Sequence, residues 1–298
     1  MRFPIIKNAK IWVTLGLVWM ILCGFMFFSN LKLSKQFTGG IELKVATTQT
    51  AEQVQDEIEK KLNDDNLNIT TKTEGDHTNV LIQQQVANEE KLIEYGKEVQ
   101  TTYQGKIKEF AIVGPSIGKQ ISSTAVQAII RGLILMAIFI VFEFSKIRKF
   151  IQPWVLALIT IVTMSFDILS PMGIYGLKMF FDATTEVDVI FVIALLTTMG
   201  YSITDTIVIF DRVREHLETD KNKKLDVVFE DSLWETMARS LMTSWATLLV
   251  VLAMYFIGVG DLKNFAFVMI FWIISGSFSS IFLAAPIAYL IIKNTKKQ

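Results

Sequence analysis

The chain has 298 residues with 29 acidic and 29 basic side chains, so its formal net charge at neutral pH is zero. Hydrophobic residues make up 51% of the chain and the mean hydropathy is +0.42, which is high for a soluble protein and favours a membrane protein. The sequence has no interspersed basic and aromatic surface of the kind that binds nucleic acid, so we expect no nucleic-acid partner.

Six stretches are apolar and long enough to cross the ~30 Å hydrocarbon core of a bilayer as helices. They predict transmembrane helices at roughly 11–29, 124–144, 153–175, 187–210, 236–257 and 265–292. The first is too long for a cleaved signal peptide and no Ala-x-Ala-like site follows it, so we expect it to remain as an anchor. It contains Cys23, which we interpret as a packing residue; a single cysteine excludes an intrachain disulfide.

The basic residues of the short connections indicate the orientation of the chain. Connections on one side of the predicted membrane contain only Lys178 and Lys263. Those on the other side contain Arg2, Lys7, Lys10, Lys146, Arg148, Lys149, several residues of 212–224, Lys293, Lys296 and Lys297. By the positive-inside rule, both termini are expected to be cytoplasmic.

A polar, Gln- and Thr-rich segment, residues 30–123, separates the first two spans and is expected to be an outward-facing soluble domain. Alternating patterns predict strands at 41–46, 67–73, 79–86 and 106–114, and helical spacing predicts helices that follow Thr50 and open at Asn88. His77 is expected in a solvated turn between two strands, without a metal site. The order β-α-β-β-α-β is that of a ferredoxin-like fold, which many functions share.

The sequence thus predicts a polytopic α-helical membrane protein with six transmembrane helices, plus one α+β ferredoxin-like extracytoplasmic domain between helices 1 and 2. The expected divisions are a cytoplasmic N-terminus and helix 1 (1–29), the extracytoplasmic domain (30–123), helices 2–6 (124–292) and a cytoplasmic tail (293–298).

Span four carries a carboxylate where a membrane helix should be apolar. Thr198, Tyr201, Ser202 and Asp205 fall at helical spacing and form one polar stripe. A charge near the middle of a bilayer costs several kcal/mol on most scales, so Asp205 needs a partner or a water-filled cavity. We interpret Asp211, Arg212 and Arg214, further along, as interface residues that orient and end the helix.

Span five offers that partner in Arg239, on a stripe with Thr236, Ser240, Thr243 and Thr247. Asn222 is midway between Asp205 and Arg239 in the sequence, so antiparallel spans would bring the two charges to similar depth. Two interpretations remain open, a proton or ion relay and a static pair that aligns helices. The preceding segment, 225–237, has amphipathic spacing and predicts a helix at the cytoplasmic interface.

Span six contains four small residues, which allow close helix packing against a neighbouring span or a partner subunit. They are Ser275, Gly276, Ser279 and Ser280.

Four motifs carry a resemblance to the SecF family, whose members work with SecD in bacterial protein export and belong to the resistance-nodulation-division superfamily. They are "QFTGG" after span one, "VGPSIGKQI" before span two, "ALLTTMGYSITDTIVIFDRVRE" in span four and "ARSLMTSWATLLVVLAMYFIGV" in span five. The similarity covers essentially the whole chain in the same order, and the span-four motif is highly specific.

The resemblance implies an accessory subunit of the Sec translocase in the bacterial cytoplasmic membrane. With SecD, it would use the proton motive force to complete export of unfolded polypeptides that the SecYEG channel and the SecA ATPase have begun to move. Whether the SecD partner is a separate chain stays open. No cofactor is implied. Sodium replaces protons in some relatives, but a single carboxylate among Ser and Thr residues favours a proton.

The family's functional aspartate and arginine match Asp205 and Arg239, with Tyr201, Ser202, Ser240 and Thr243 as polar neighbours. Coupled motion would reach the outer domain through Gly39 and Gly40, hinge candidates that a plain turn before a strand explains equally well.

Two positions depart from the family pattern. Gln36 stands where an aspartate is common, and Thr160 stands near the place of an acid early in span three. Asp167 follows about two turns later and is a secondary candidate for a polar pathway, although a capping role near the outer surface is the simpler interpretation.

Two alternatives belong to other classes of function. A scaffold subunit would use Asp205 and Arg239 only to hold helices together. An intramembrane enzyme is disfavoured, because the sequence lacks paired catalytic aspartates, a zinc-binding histidine cluster, a Gly-rich phosphate loop and a Ser/His dyad.

Overall fold

The structure, a computed structural model, describes residues 3–47, 49–64, 67–74, 77–84, 89–144, 152–182, 185–220 and 222–295. The predicted positions Arg2, Asn88, Lys146, Arg148, Lys149, Lys296 and Lys297 lie outside these ranges. The described elements, in chain order, are a 3-10 turn (Ile6–Asn8), α1 (Ala9–Ser29), α2 (Lys35–Thr38), β1 (Gly40–Ala46), α3 (Ala51–Leu62), β2 (Leu67–Glu74), β3 (His77–Gln84), α4 (Glu89–Thr102), β4 (Ile107–Val113), α5 (Pro115–Glu143), α6 (Pro153–Phe181), α7 (Val189–Thr219), α8 (Leu225–Ile257), α9 (Asp261–Ser279), a π-helical segment (Ser280–Ala284) and α10 (Ala285–Thr295).

The chain forms two compact units. The helical unit comprises Met1–Leu31, Ala128–Phe181 and Ile190–Gln298, and the sheet unit comprises Lys32–Gln127 and Asp182–Val189.

Six helical stretches of the described chain are long and apolar enough to cross a membrane, as the sequence predicted. They are Ile6–Ser29, Pro115–Glu143, Pro153–Phe181, Val189–Thr219, Leu225–Ile257 and Leu262–Asn294. These helices are longer than the predicted spans, because additional turns of polar residues extend them beyond the apolar stretches.

Helix α7 shows this most clearly, since it continues to Thr219 and the expected helix end near Asp211 is wrong. Arg214 pairs with Asp211 at 2.9 Å and Arg212 pairs with Glu215 at 2.5 Å. Such i,i+3 ion pairs stabilise the helix where the apolar pattern stops. The predicted interface helix at 225–237 is likewise the first part of α8, since no Gly or Pro interrupts α8.

The sheet unit has four antiparallel strands in the order β2-β3-β1-β4. The order of strands and helices along the chain is the expected one. His77 begins β3 and pairs with Ala46 and Glu74, so its predicted place in a turn is wrong. The ladder between β2 and β3 includes the pair Glu74 and His77, so the strand begins earlier than expected.

Both longer helices of this unit pack on one face of the sheet. In β1, Ile41, Leu43 and Val45 alternate toward the core, where they meet Val54 of α3 and Leu92 of α4. Each fully buried side chain of this kind stabilises the fold by about 1.5–3 kcal/mol.

Helix α3 begins as predicted at Thr50. The Thr50 hydroxyl accepts a hydrogen bond from the Gln53 backbone N–H, and the Gln53 side chain accepts one from the Thr50 N–H. This capping box satisfies two backbone donors that a helix start leaves without intrahelical partners.

Within the sheet unit, the segment that follows α1 is tied to Asp182–Val189. Leu33 and Val187 form a parallel bridge, and the Val187 N–H donates to Lys32 O at 2.7 Å. Gln36 accepts a hydrogen bond from the Val189 N–H at 2.9 Å, so the residue in place of the family aspartate holds the first turn of α7.

Gly39 lies in a turn that requires glycine. Its φ is +78°, and a Cβ there would lie 2.9 Å from Pro115 Cα. The adjoining Gly118 is equally close to the Phe37 carbonyl. Gly39 therefore lies in a tightly packed turn that leads into Gly40, the first residue of β1, and the role of the two glycines as hinges stays a prediction.

In the helical unit, α1 and α6 approach each other closely because α6 offers glycines at the contact. A Cβ at Gly173 would lie 2.5 Å from Cys23 Cα, and one at Gly176 would lie 2.7 Å from Phe27 Cα. Cys23 is 1% exposed, as expected for a packing residue. Trp19 also donates to the Ser170 hydroxyl at 2.9 Å.

The start of the first span is held by α8. The Glu230 carboxylate accepts hydrogen bonds from the backbone N–H groups of Ile5, at 2.9 Å, and Ile6, at 2.8 Å. Both isoleucines are buried. Glu230 thus satisfies two donors at the beginning of a helix, where a negative charge is also favourable.

Candidate functional site

Asp205 is half-buried in α7, in the part of the chain that the sequence predicted to be a transmembrane helix. Its Oδ2 accepts a hydrogen bond from the Ser240 hydroxyl of α8. Ser240 is 4% exposed, so the hydrogen bond crosses a buried helix–helix contact.

Arg239 lies next to Ser240 and reaches the same small cavity as Asp205. The cavity measures about 140 Å³, and its lining is Thr204, Asp205, Val208, Ile209, Thr236, Arg239, Ser240 and Thr243. Although both side chains are described, they form no ion pair, and Arg239 acts on the carboxylate electrostatically. The hydrogen-bond partner of Asp205 in this state is therefore Ser240.

A second cavity of about 600 Å³ shares Val208, Thr236 and Arg239 with the first. Its remaining lining is mostly charged: Glu143, Asp211, Arg212, Arg214, Glu215 and Glu235, with Phe144 and Ile207. Nearby, His216 contacts Glu235 at 3.1 Å. The shared residues make the small Asp205 cavity adjoin a larger, charged one.

Most hydroxyl groups of the two predicted stripes bond to their own helix. Thr243 donates to Ser240 O at 2.9 Å, and Thr198 donates to Leu195 O at 2.6 Å. These bonds satisfy the hydroxyls locally without linking helices. The Tyr201 side chain lies outside the described part of the structure.

Ser202, expected beside Asp205, instead donates to Oδ2 of Asp167. Asp167 is at the midpoint of the 29-residue helix α6 and is 2% exposed. A capping role is therefore wrong, because α6 continues through Pro171 and Gly173 to Phe181. A sequence signal existed, since the predicted span, 153–175, continues past Pro171 and places Asp167 well inside it.

The small residues of the last span lie near Ser202 and Thr206 of α7. Ser279 and Ser280 are fully buried, and a Cβ on Gly276 would lie 3.9 Å from Ser202 Cβ. The Ser280 hydroxyl is 3.4 Å from that of Thr206. These residues thus pack against α7 of the same chain.

Among the described residues, no group of three or more His, Cys, Asp and Glu side chains is arranged to hold a metal ion. The chemistry that the arrangement around Asp205 supports is proton or ion exchange at a carboxylate.

A sequence profile of the family described as "Protein export membrane protein SecD/SecF, C-terminal" matches residues 93–294. The protein translocase subunit SecF of Haemophilus influenzae is 29% identical over 299 residues, covering 96% of this chain and 86% of that protein. The protein translocase subunit SecDF of Brucella abortus is 36% identical over 176 residues, covering 59% of this chain and 22% of that protein.

A crystal structure of a Thermus SecDF, described as a translocon-associated membrane protein, has a TM-score of 0.78 and 25% sequence identity to this chain. The match covers 100% of this chain and 39% of that chain, so this chain spans about two-fifths of it. The profile match alone takes in more than half of the residues. This multi-pass membrane protein therefore belongs to the SecD/SecF family of protein export membrane proteins.

Proposed function

We propose that this chain is a Sec translocase subunit that, with SecD, uses the proton motive force to drive late steps of protein export. Membership of the SecD/SecF family and the translocase-subunit relatives support a role in export.

The observation that carries the proton coupling is the setting of Asp205. A half-buried carboxylate in a candidate span shares a small polar cavity with Arg239, and that cavity adjoins a larger charged one. Water and protons would reach Asp205 by this route. A charge in such a place is costly unless a partner or water compensates it, and its presence in an apolar span favours a functional role.

Protonation of Asp205 would remove its attraction to Arg239 and weaken its hydrogen bond from Ser240. The packing of α7 against α8 would then favour a different state. The transmembrane potential supplies about 2.3 kcal/mol per charge per 100 mV, and any pH gradient adds to it. Energies of this size bias a two-state packing strongly.

Helix α8 offers a mechanical link for the response. It carries Arg239 and also Glu230, which holds the backbone of Ile5 and Ile6 at the start of the first span. A shift of α8 would therefore move α1, which continues in the sequence to Gly39, Gly40 and the sheet unit.

The proposed partners follow from the relatives and from the family resemblance. The Brucella and Thermus relatives are named SecDF, and this chain corresponds to only part of each. We therefore expect SecD to complete the working unit, with the SecYEG channel and the unfolded exported polypeptide as further partners and SecA acting indirectly.

The proposed topology is that of a cytoplasmic-membrane protein with both termini in the cytoplasm. In it, residues 30–123 form an extracytoplasmic ferredoxin-like domain, residues 1–29 and 124–292 carry the spans, and 293–298 form the tail. The antiparallel sheet order and the positive-inside pattern support this layout.

A scaffold subunit is the second candidate. The partly buried hydrogen bond from Ser240 to Asp205 joins α7 to α8 and favours this candidate, because such a bond stabilises helix packing without any transport.

The experiment that tests the proposal is export of a secreted reporter into sealed vesicles that contain this chain and its SecD partner. Wild type is compared with Asp205→Asn and Arg239→Met, with the proton gradient present or collapsed. Asp220→Asn is the matched control, because Asp220 is an exposed aspartate just after α7.

We expect the late stage of export to depend on the gradient in wild type and Asp220→Asn, and to lose that dependence in both site variants. If both site variants respond to the gradient as wild type does, Asp205 and Arg239 are structural and the proton-coupling proposal fails.

A further inference from the structure

A second carboxyl group lies deeper in the helical unit than Asp205. Asp167 is at the midpoint of α6, so at ~1.5 Å per residue each end of the helix is about 20 Å away. Its Oδ2 accepts from Ser202, and within the described part of the chain Oδ1 has no hydrogen-bond partner. The export role proposed above does not use this group.

No positive charge compensates Asp167 among the described residues. The charged group that acts on it is another carboxyl, that of Asp205 on α7. Other titratable groups on helices that pack against α6 lie elsewhere. On α1, Lys10 is in the first turn and Cys23 lies against Gly173. Lys263 is in the first turn of α9, and Lys293 of α10 donates to Tyr289 at 3.1 Å. On α7, the charged residues Asp211, Arg212, Arg214 and Glu215 line the larger cavity. On α6 itself, Lys178 donates to Asn264 at 2.8 Å.

The energetic balance then opposes an ionised Asp167. Burying an isolated carboxylate costs several kcal/mol even on the mildest membrane scales. A hydrogen bond to a charged group returns only about 1.5–3 kcal/mol, and repulsion from Asp205 adds to the cost. A bound proton removes the charge and with it most of this penalty.

The hydroxyl groups around Asp167 fit a neutral acid. The Ser279 hydroxyl also lies near the carboxyl and 3.1 Å from Gly276 O. A hydroxyl can both donate and accept, so Ser279 bonded to Gly276 O offers a protonated Asp167 an acceptor, whereas as a donor to Asp167 it would favour the ionised form. Ser202 donates to Oδ2, so Oδ2 accepts a hydrogen bond as the carbonyl oxygen of a neutral acid would.

Buried hydroxyls continue from this site toward the turn that carries Asp205. Thr206, next to Asp205, lies 3.4 Å from Ser280 across the helix contact. Ser280 opens the π-helical segment Ser280–Ala284. Such single-turn departures from α-helical geometry are frequent at functional sites.

We propose that Asp167 is a second proton-binding carboxyl group of this protein, which holds a proton while Asp205 is ionised. Ser202 and Asp205 are less than one helical turn apart on α7, so a movement of α7 changes the hydrogen bonds of both carboxyl groups. The part of Asp167 in coupling rests on the proposed function, whereas its proton occupancy does not.

The test is infrared spectroscopy of the full chain in lipid nanodiscs at neutral pH, in H2O and D2O. We expect a C=O stretching band of a protonated carboxyl group that shifts in D2O and is lost in Asp167→Asn. Asp220→Asn should leave the band unchanged. Ser202→Ala should move it to higher frequency, since the carbonyl oxygen loses its hydrogen-bond donor, and this variant answers the question if Asp167→Asn fails to fold.

The proposal is overturned if the spectra of wild type and Asp167→Asn are the same and Ser202→Ala leaves the band in place. It is also overturned if the band appears only when sodium is withdrawn, because Asp167 would then be an ionised ligand of a cation. The two proposals fail in different measurements. If Asp205→Asn does not affect export, the proposed function fails but the infrared band is still expected. If the band is missing, the Asp167 proposal fails but the export result still stands.

Discussion

At the scale of single residues, the environment of Asp205 is defined by one donor and one nearby charge. Ser240 donates directly to the carboxylate, and Arg239 acts through the cavity that all three residues line. The direct hydrogen bond is the stronger local effect, because a charge that shares a polar cavity is partly screened by solvent.

We expect Ser240→Ala to lower gradient-driven export by about tenfold. A hydrogen bond to a charged group is worth about 1.5–3 kcal/mol, and 1.4 kcal/mol corresponds to a factor of ten. The matched control is Thr243→Val, since the Thr243 hydroxyl lines the same cavity but bonds to its own helix. Equal export rates for the two variants in the vesicle assay would contradict a special role for Ser240.

The sequence identified Asp205 and Arg239 because polar residues at helical spacing are conspicuous in an apolar span. It did not predict the contact between Asp167 and Ser202. Helical periodicity places Ser202 and Asp205 on one broad stripe, but neighbouring helices on either side of α7 divide that stripe. Tertiary packing decides which neighbouring helix each half of the stripe contacts. The spacing of residues within one helix does not reveal this.

At the scale of elements, close packing of α1 on α6 depends on the glycines of α6. The hydrogen bond from Trp19 to Ser170 fixes the same contact on the polar side. The carboxylate of Glu230 connects the beginning of the first span to α8. No sequence pattern indicated this contact, because the donors are backbone N–H groups that lie 224 and 225 positions away from Glu230.

Gly176→Ala should destabilise the helical unit by about 1–3 kcal/mol, because its new methyl group meets the Phe27 backbone. Gly24→Ala is a suitable control on the partner helix, where the nearest atom to a new Cβ, on Leu169, is 4.0 Å away. Thermal unfolding in detergent compares the two. Similar melting temperatures for both variants would show that the close approach does not contribute to stability.

Glu230→Gln should loosen the start of the first span. The amide offers a single oxygen acceptor in place of two, so one buried N–H group of Ile5 or Ile6 loses its partner, at a cost of about 1–3 kcal/mol. Hydrogen exchange of the first helical turn is expected to accelerate, while Glu218→Gln, at an exposed position of α7, leaves it unchanged. Unaltered exchange in Glu230→Gln would rule out the proposed link between α8 and α1.

The segment Asp182–Val189 should respond to pH. Burial raises the pKa of Glu186 above its ordinary value, while Lys32 and Lys35 partly oppose this effect. Because the folded pKa is the higher one, the stabilising contribution is complete below the ordinary pKa and is lost as pH rises through the raised pKa. Opening of the segment, reported by exchange of the Val187 amide after correction for intrinsic rates, should increase over that interval.

Glu186→Gln should remove this dependence on pH while leaving the hydrogen bond from the Val187 N–H to Lys32 O in place. An unchanged pH profile in the variant would assign the effect to another group.

At the scale of the whole molecule, the six candidate spans differ in how much of each the chain itself covers. In α6, 61% of the most apolar window is buried, whereas in α5 the share is 6% and in α8 it is 17%. A central α6 explains why its middle residue, Asp167, is so completely enclosed. The exposed apolar faces of α5 and α8 are available to lipid or to a partner subunit.

The division into a helical and a sheet unit was predictable because their compositions and periodicities differ sharply. The ends of the spans were less predictable, since ion pairs such as Arg214 with Asp211 extend helices into polar sequence. The tie between Gln36 and Val189 was not predictable, because it joins segments that are 153 positions apart through a backbone group.

The most direct test of the central claim replaces both charges at once with shape-matched neutral residues, Asp205→Asn together with Arg239→Gln, in the vesicle export assay with SecD present. Thermal unfolding of the variant shows that its helices remain packed. The account predicts a folded protein whose late-stage export no longer responds to the proton gradient. A folded variant that keeps the wild-type response would contradict it and would show that Asp205 and Arg239 serve helix assembly.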